Sequence, residues 1–317
     1  MPDAIAMLLA RAAESLYWAA RYLERAEDTA RIVREHTNLI VDMPTVVPVT
    51  WAPLLAITGE ELTFRSRYER ADELSIMQFL VADRDNRSSI VSAIGQAREN
   101  LRTVRELIPN ELWHAVNDLY LYIAGNNAEG VVRASRRRFL DRVISECQLS
   151  AGITSGTMSR SEPHAFIRLG TYIERSDMTT RVIDVNAATI GAQGEAALHG
   201  NVQWSSVLRS VAGLQMFRRS TLANASGPTV VAFLFGDEQF PRSVAFCAEQ
   251  VARSLRTLPQ PAALVEQCRV LGSLAGSVEV LPLDLARLRA SVDDVQRASA
   301  DLHAAVTAQY FAVEAEG

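Results

Sequence analysis

Over 4–41 the apolar positions Leu16, Ala19, Ala20, Leu23, Ala26, Ala30 and Val33 recur at spacings of three and four. That spacing keeps them on one face of a helix and predicts a long amphipathic element that needs partners. Pro44 and Pro48 stop it, so 42–50 reads as an extended connection. Trp51, Leu54, Leu55 and Ile57 open a shorter periodic stretch. A further helix is expected over 71–82, then a polar loop over 83–88 in which Asn86 or Ser88 caps the next helix. That next helix carries Ile90, Ile94, Ala97, Leu101 and Val104. Asn110 reads as the cap of a helix over 111–123, which Gly125-Asn126-Asn127 breaks. Over 131–153 Phe139, Leu140, Val143 and Ile144 share one face, and a run of arginines between Arg133 and Arg142 occupies the other.

The second half repeats this order. Ser161-Glu162-Pro163 sets a cap residue and a proline at a helix start, predicting a helix over 165–190. A loop over 191–200 follows, and helices are expected over 262–274 and 281–310. The single β-like run is 229–235, and its first-half counterpart reads as helix. The echo is sharpest where Tyr22-Leu23-Glu24-Arg25-Ala26-Glu27-Asp28-Thr29-Ala30-Arg31 returns as Tyr172-Ile173-Glu174-Arg175-Ser176-Asp177-Met178-Thr179-Thr180-Arg181. Trp51 is answered by Trp204, Phe79-Leu80 by Phe233-Leu234, Asp83 by Asp237 and Ser89 by Ser243. The expectation is an all-α fold of two tandemly repeated helical bundles, 1–157 and 158–317, related by a pseudo-two-fold axis.

Composition narrows the chemistry. All 32 residues counted as Lys plus Arg are arginine, which excludes a Schiff-base lysine or a phosphate-binding lysine within this chain. Three cysteines, Cys147, Cys247 and Cys268, without CxxC spacing argue against a disulfide framework or a cysteine zinc site and fit a reducing cytoplasm. A net charge of -5 gives no footprint for nucleic acid or an anionic membrane, and no long apolar run suggests a membrane span. The arginine run is read as a solvated helix face. No GxGxxG, GxSxG or HExxH sequence is present, and no cofactor is expected.

The repeated stretch carries the candidate chemistry. Arg21, Glu24, Arg25 and Asp28 stand at i, i+3, i+4 and i+7, one charged stripe on a helix. Glu27 falls inside the apolar arc, four after Leu23, and Asp177 holds the matching place after Ile173. A carboxylate turned into a core needs a partner, and the arginine fork satisfies both oxygens. The candidate cluster comprises Arg21, Tyr22, Glu24, Arg25, Glu27, Asp28, Arg31, Arg160, Tyr172, Glu174, Arg175, Asp177 and Arg181. It admits three readings: ion pairs holding two helices together, a polar cleft for a zwitterionic or anionic ligand, or a carboxylate metal site. The neighbouring arginines oppose the last, and Glu111-Leu112-Trp113-His114 is a lone Glu-x-x-His. His164, two residues after Glu162, is the nearest pH-active candidate.

With Ser15-Leu16-Tyr17-Trp18, the Glu24-Arg25 stretch, and Gly156-Thr157-Met158-Ser159-Arg160 leading into Gly170-Thr171-Tyr172-Ile173-Glu174-Arg175, the chain resembles the alpha-E domain family. Two departures are that Ala20 answers Gly170 and that Arg21 answers Thr171. The resemblance implies an all-helical, duplicated protein working in a peptide synthesis or modification system. It implies as partners an ATP-grasp ligase or a transglutaminase-like protein, with a peptide as possible ligand. The chain would then be an accessory or substrate-presenting subunit rather than a catalyst alone. The competing expectation is an enzyme that uses Glu27 or Asp177 as general base beside carboxylate-binding arginines.

Overall fold

The computed structural model describes residues 8–44, 49–191, 200–278 and 285–312. The expected helix start before residue 8, parts of the 42–50 and 191–200 connections, and the expected start at 281 lie outside the described residues. Every regular element among the described residues is helical, fourteen α-helices with one π turn and one 3-10 turn.

Two long helices form the axis of the molecule. α1, Ala10–Asp42, is free of glycine and proline, so nothing interrupts its backbone ladder before Pro44. α8, Glu162–Gly191, carries Pro163 in its first turn, where a missing N–H costs nothing. They cross face to face at Gly170. A Cβ there would lie 2.2 Å from the Tyr17 carbonyl oxygen and 3.1 Å from the Ala20 Cβ, so glycine sets the distance of closest approach.

The other helices wrap this pair. Between the two lie α2 (Ala52–Thr58), α3 (Glu61–Arg65), α4 (Glu73–Met77), α5 (Ile90–Arg102), α6 (Asn110–Val131) and α7 (Arg133–Thr157). After α8 come α9 (Gly200–Ser210), α10 (Leu214–Ser220), α11 (Gly227–Gly236), α12 (Val244–Leu255), α13 (Ala262–Gly276) and α14 (Leu285–Tyr310). α1 packs on α8, α5, α7 and α9, whereas α8 packs on α1, α12, α14 and α2. Buried apolar side chains form one cluster that runs across the junction between α7 and α8 without interruption.

Several local expectations need correction. The helix expected over 71–82 starts at Glu73 under an Asp72 capping box, and its last turn, Gln78–Ala82, is a π turn. α5 is capped by Ser89, which accepts from the Ser92 N–H at 3.1 Å, and not by Asn86 or Ser88. Asn86 is buried instead, donating to the Phe79 carbonyl at 2.9 Å and accepting from the Ser88 N–H. Asn110 is the first residue of α6 rather than its cap, and α6 runs straight through Gly125-Asn126-Asn127. The contacts of Ile123, Gly130 and Val131 with the core override the local breaker signal there. The arginine run is split: Arg133, Arg137 and Arg138 are exposed, but Arg136 is buried and donates to the Gly130 and Val131 carbonyls that end α6 and to Glu73 at 2.8 Å. Those orphaned carbonyls explain why an arginine is tolerated inside. The β-like run 229–235 lies within α11, where Pro228 and a Ser226 capping box start a helix.

The crossing gives a direct stability prediction. Gly170→Ala should cost on the order of 1–3 kcal/mol because the added methyl meets backbone. Gly125→Ala, where nothing lies within 4 Å, should gain about 0.5–1 kcal/mol from helix propensity alone. Chemical denaturation of the two variants beside the parent checks both signs.

Candidate functional site

The crossing point is also where the charges meet. Because α1 and α8 touch at Gly170 and Tyr17, the next turn of each helix faces the other at side-chain distance. Each Glu-Arg pair then reaches across to its opposite. Arg25 of α1 donates to Glu174 of α8 through Nε at 2.5 Å and Nη2 at 3.1 Å. Arg175 of α8 donates to Glu24 of α1 through Nε at 2.6 Å and Nη2 at 2.7 Å. Both bonds are bidentate, the geometry in which a guanidinium satisfies a carboxylate best. Glu24 and Glu174 are 5% and 1% exposed, so neither acid has water to fall back on.

Each glutamate takes a second arginine, and the two come from different places. Glu174 receives Arg21 Nε at 2.7 Å. Glu24 cannot receive the equivalent, because Thr171 stands there, and is met by Arg242 Nη1 at 2.9 Å, from the loop before α12. Burial by itself lifts a carboxyl's pKa; the charges and hydrogen bonds of Arg21 and Arg25 more than reverse this and hold Glu174 at about 2. Glu24 is lowered as well, its burial outweighed by Arg175 and Arg242.

Arg242 was not anticipated. It also donates to Glu27 at 3.0 Å and to Asp28 at 2.5 Å. Arg31 pairs with Glu27 at 2.7 Å one turn along α1. Asp28 is the least satisfied acid: its Oδ2 is buried without a partner, and burial, with Glu24 and Glu27 close by, pushes its pKa up to about 7 against the pull of Arg242. A signal for Arg242 did exist in the chain. Ser89 and Ser243 cap their helices alike, which sets Arg242 against Ser88, and Asp28 stands against Met178. The acid and its arginine are lost together in the other stretch.

The remaining candidate residues divide. Tyr22 and Tyr172 flank the cluster, with Arg25 5.6 Å and Arg175 5.2 Å from their ring centroids. Asp177 is partly exposed, unlike Glu27, and pairs with Arg181 at 3.0 Å. Arg160 does not join the cluster; its guanidinium contacts His164 Nε2 at 2.5 Å and donates to the Ser155 carbonyl at 2.6 Å. Glu111 and His114 are exposed on α6, and among the described residues no group of three or more His, Cys, Asp or Glu could hold a metal ion.

A cavity of about 260 Å³ opens between α1, α7 and α8 beside this cluster. Glu24, Glu27 and Arg175 form its polar side, and Leu23, Leu101, Leu112 and Ile167 its apolar side. Cys147 and His164 also line it. Neither is poised to react at neutral pH: burial pushes the Cys147 thiol well above its usual value, and burial with the charges of Arg160 and Arg168 lowers His164 to about 4.

Two consequences can be measured. Glu174→Gln leaves the buried Arg21 and the half-buried Arg25 against one neutral amide and should cost about 3–5 kcal/mol in urea denaturation. Because the folded pKa of Glu174 lies below its ordinary 4.5, its contribution is complete above that pH and is lost as pH falls towards about 2. A melting series from pH 5 to pH 2 should therefore show a fall that Glu174→Gln lacks.

No helix among the described residues is long and apolar enough to cross a membrane. No solved structure matches the chain. Uncharacterized proteins of Mycobacterium bovis and Mycobacterium tuberculosis are each 24% identical to it over 271 residues, covering 78% of this chain and 30% of theirs. The chain thus spans under a third of the length of the curated relatives it matches. A family model described as a predicted alpha-helical domain with a conserved ER motif matches residues 8–311. With the Glu-Arg pairs of both long helices in place at the crossing, the chain belongs to the Alpha-E family.

Proposed function

We propose that this protein is a non-catalytic helical subunit that holds a peptide for a partner enzyme, and that its Glu-Arg cluster is the clasp between two related bundles of seven helices, 1–157 and 158–317. The observation that carries this reading is the saturation of Glu24 and Glu174: each is buried and held by two arginines. Acids so held bind protons too weakly for general acid or base work near neutrality. What they supply instead is a fixed crossing and one polar wall for the cavity between α1, α7 and α8.

That cavity suits a ligand with both apolar and polar parts. Four aliphatic side chains face Glu24, Glu27 and Arg175 across it, a mixture that fits one side chain of a peptide with its adjoining amide better than a bare ion. The resemblance drawn from the sequence supplies the partner: an ATP-grasp ligase or a transglutaminase-like protein, acting in the cytoplasm on the presented peptide. Absence of lysine from the whole chain agrees with ATP-dependent steps being done elsewhere. The relatives, which carry the matching stretch within much longer chains, agree with a module that works beside others.

A second reading, acid–base chemistry within the cluster, has one observation in its favour, the pKa of Asp28 at about 7. Asp28 lines neither that cavity nor the polar recess on the α2 side, so a substrate has no route to it there. Affinity purification from the native cell decides between the two readings. The accessory reading expects an ATP-grasp or transglutaminase-like protein to co-purify in stoichiometric amount. A lone chain that turns over a small molecule, with activity lost in Asp28→Asn, would contradict it.

A further inference from the structure

The two faces of the cluster are finished differently, and the difference defines a second site. On one face Arg242 lies across Glu24, Glu27 and Asp28. The residue in the same place before the other helix cap is Ser88, which has no charge to offer. Around Ser88 the structure has a polar recess of about 260 Å³ between α1, α2 and α8. It shares no lining residue with the cavity described above.

Three features of this recess point to a ligand. Thr29 lines it, is 1% exposed, and its Oγ1 has no hydrogen-bond partner. The matching Thr179 Oγ1 donates to the backbone carbonyl of residue 242 at 2.9 Å, a bond that Thr29 lacks on this face. Asp177 holds one guanidinium, Arg181, where Glu27 holds both Arg31 and Arg242. Glu60, which also lines the recess, has no cationic partner among the described residues and accepts the Ser88 hydroxyl at 2.6 Å. A carboxylate pair with spare oxygens and a buried hydroxyl thus stand where the opposite face has a guanidinium.

From this placement we infer that the recess binds an arginine side chain of a peptide, its guanidinium bridging Glu60 and Asp177 and its adjoining polar groups reaching Thr29. Of the charged groups lining the recess, Arg25 is taken up by Glu174 and Arg181 by Asp177, which leaves Glu60 as the acid without an ion pair, so a planar cation with several donors fits there better than an anion. The volume is at the small end for ligand sites, which run from roughly 300 Å³, and so suits one side chain rather than a whole cofactor. At the rim Gly59 adopts φ +72°, a conformation that favours glycine, and a Cβ there would sit 2.6 Å from Arg181 Nη1 and displace that guanidinium. The site stands apart from the partner reading, since no ligase is needed for it to be occupied.

Titration calorimetry on the full chain tests it with Nα-acetyl-L-arginine amide and its neutral isostere Nα-acetyl-L-citrulline amide. The arginine compound should bind saturably at one site, at least about tenfold more tightly than the citrulline compound. Glu60→Gln should weaken it at least about tenfold at unchanged melting temperature, because that carboxylate has no ion pair to lose, and Asp177→Asn should weaken it as much while also losing its bond to Arg181. Ser88→Arg, which restores the arrangement of the opposite face, should abolish binding without lowering the melting temperature. Equal affinity for the two amides, no saturable binding of the arginine compound, or binding unchanged in Glu60→Gln and Ser88→Arg would each overturn the inference.

Discussion

The reciprocal exchange of guanidinium and carboxylate between α1 and α8 is the interaction on which the rest of the structure depends. Taking a carboxylate and its arginine out of water costs several kcal/mol per ion unless the geometry repays it. Here it is repaid by bidentate bonds of 2.5–3.1 Å and by a second arginine on each glutamate. A one-residue slip of either helix would rotate its Glu-Arg pair away and strand buried charge. Such a cluster contributes less to net stability than to specifying one crossing geometry, and Gly170, with its backbone contact to Tyr17, fixes how close that crossing is.

Differences between the two Glu-Arg stretches shape the surfaces around this crossing. Tyr17 and Arg21 are large where Ile167 and Thr171 answer them. On the Tyr17 side α14 sends in His303, whose ring stacks on Tyr17 and whose Nδ1 lies 2.7 Å from the Tyr17 hydroxyl. On the Ile167 side α7 presents Ser150, Ala151 and Thr154, and a cavity is left. Arg242 and Ser88 differ in the same sense on the other flank. The same Glu-Arg pairs hold both helices, while the residues that changed between the two stretches decide where a cavity is left.

The helical class, the long helices and the Glu-Arg stretches were legible in the chain because each is a short-range pattern: a period of three and four, a capping serine, a string that recurs. What was not legible depends on contacts distant in sequence. Arg242 lies 214 residues from Asp28 and joins it only when α12 packs on α8. Arg136 looked solvated from its neighbours and is buried because the end of α6 offers it carbonyls. Gly125-Asn126-Asn127 looked like a break, yet packing on either side of it holds α6 together. Arg160 ends the Gly156–Arg160 string that leads into α8, but its side chain turns back to His164 and Ser155.

The central claim is that the crossed pairs bind the two long helices to each other, and a double-mutant cycle on Glu24 and Arg175 measures this directly. Unfolding free energies of Glu24→Gln, Arg175→Met and the double variant should give a coupling of about 2–3 kcal/mol, since Glu24 is buried and the bond to the half-buried Arg175 is bidentate. A coupling within about 0.5 kcal/mol of zero would mean that the two residues stabilise the fold independently, and the clasp would not exist.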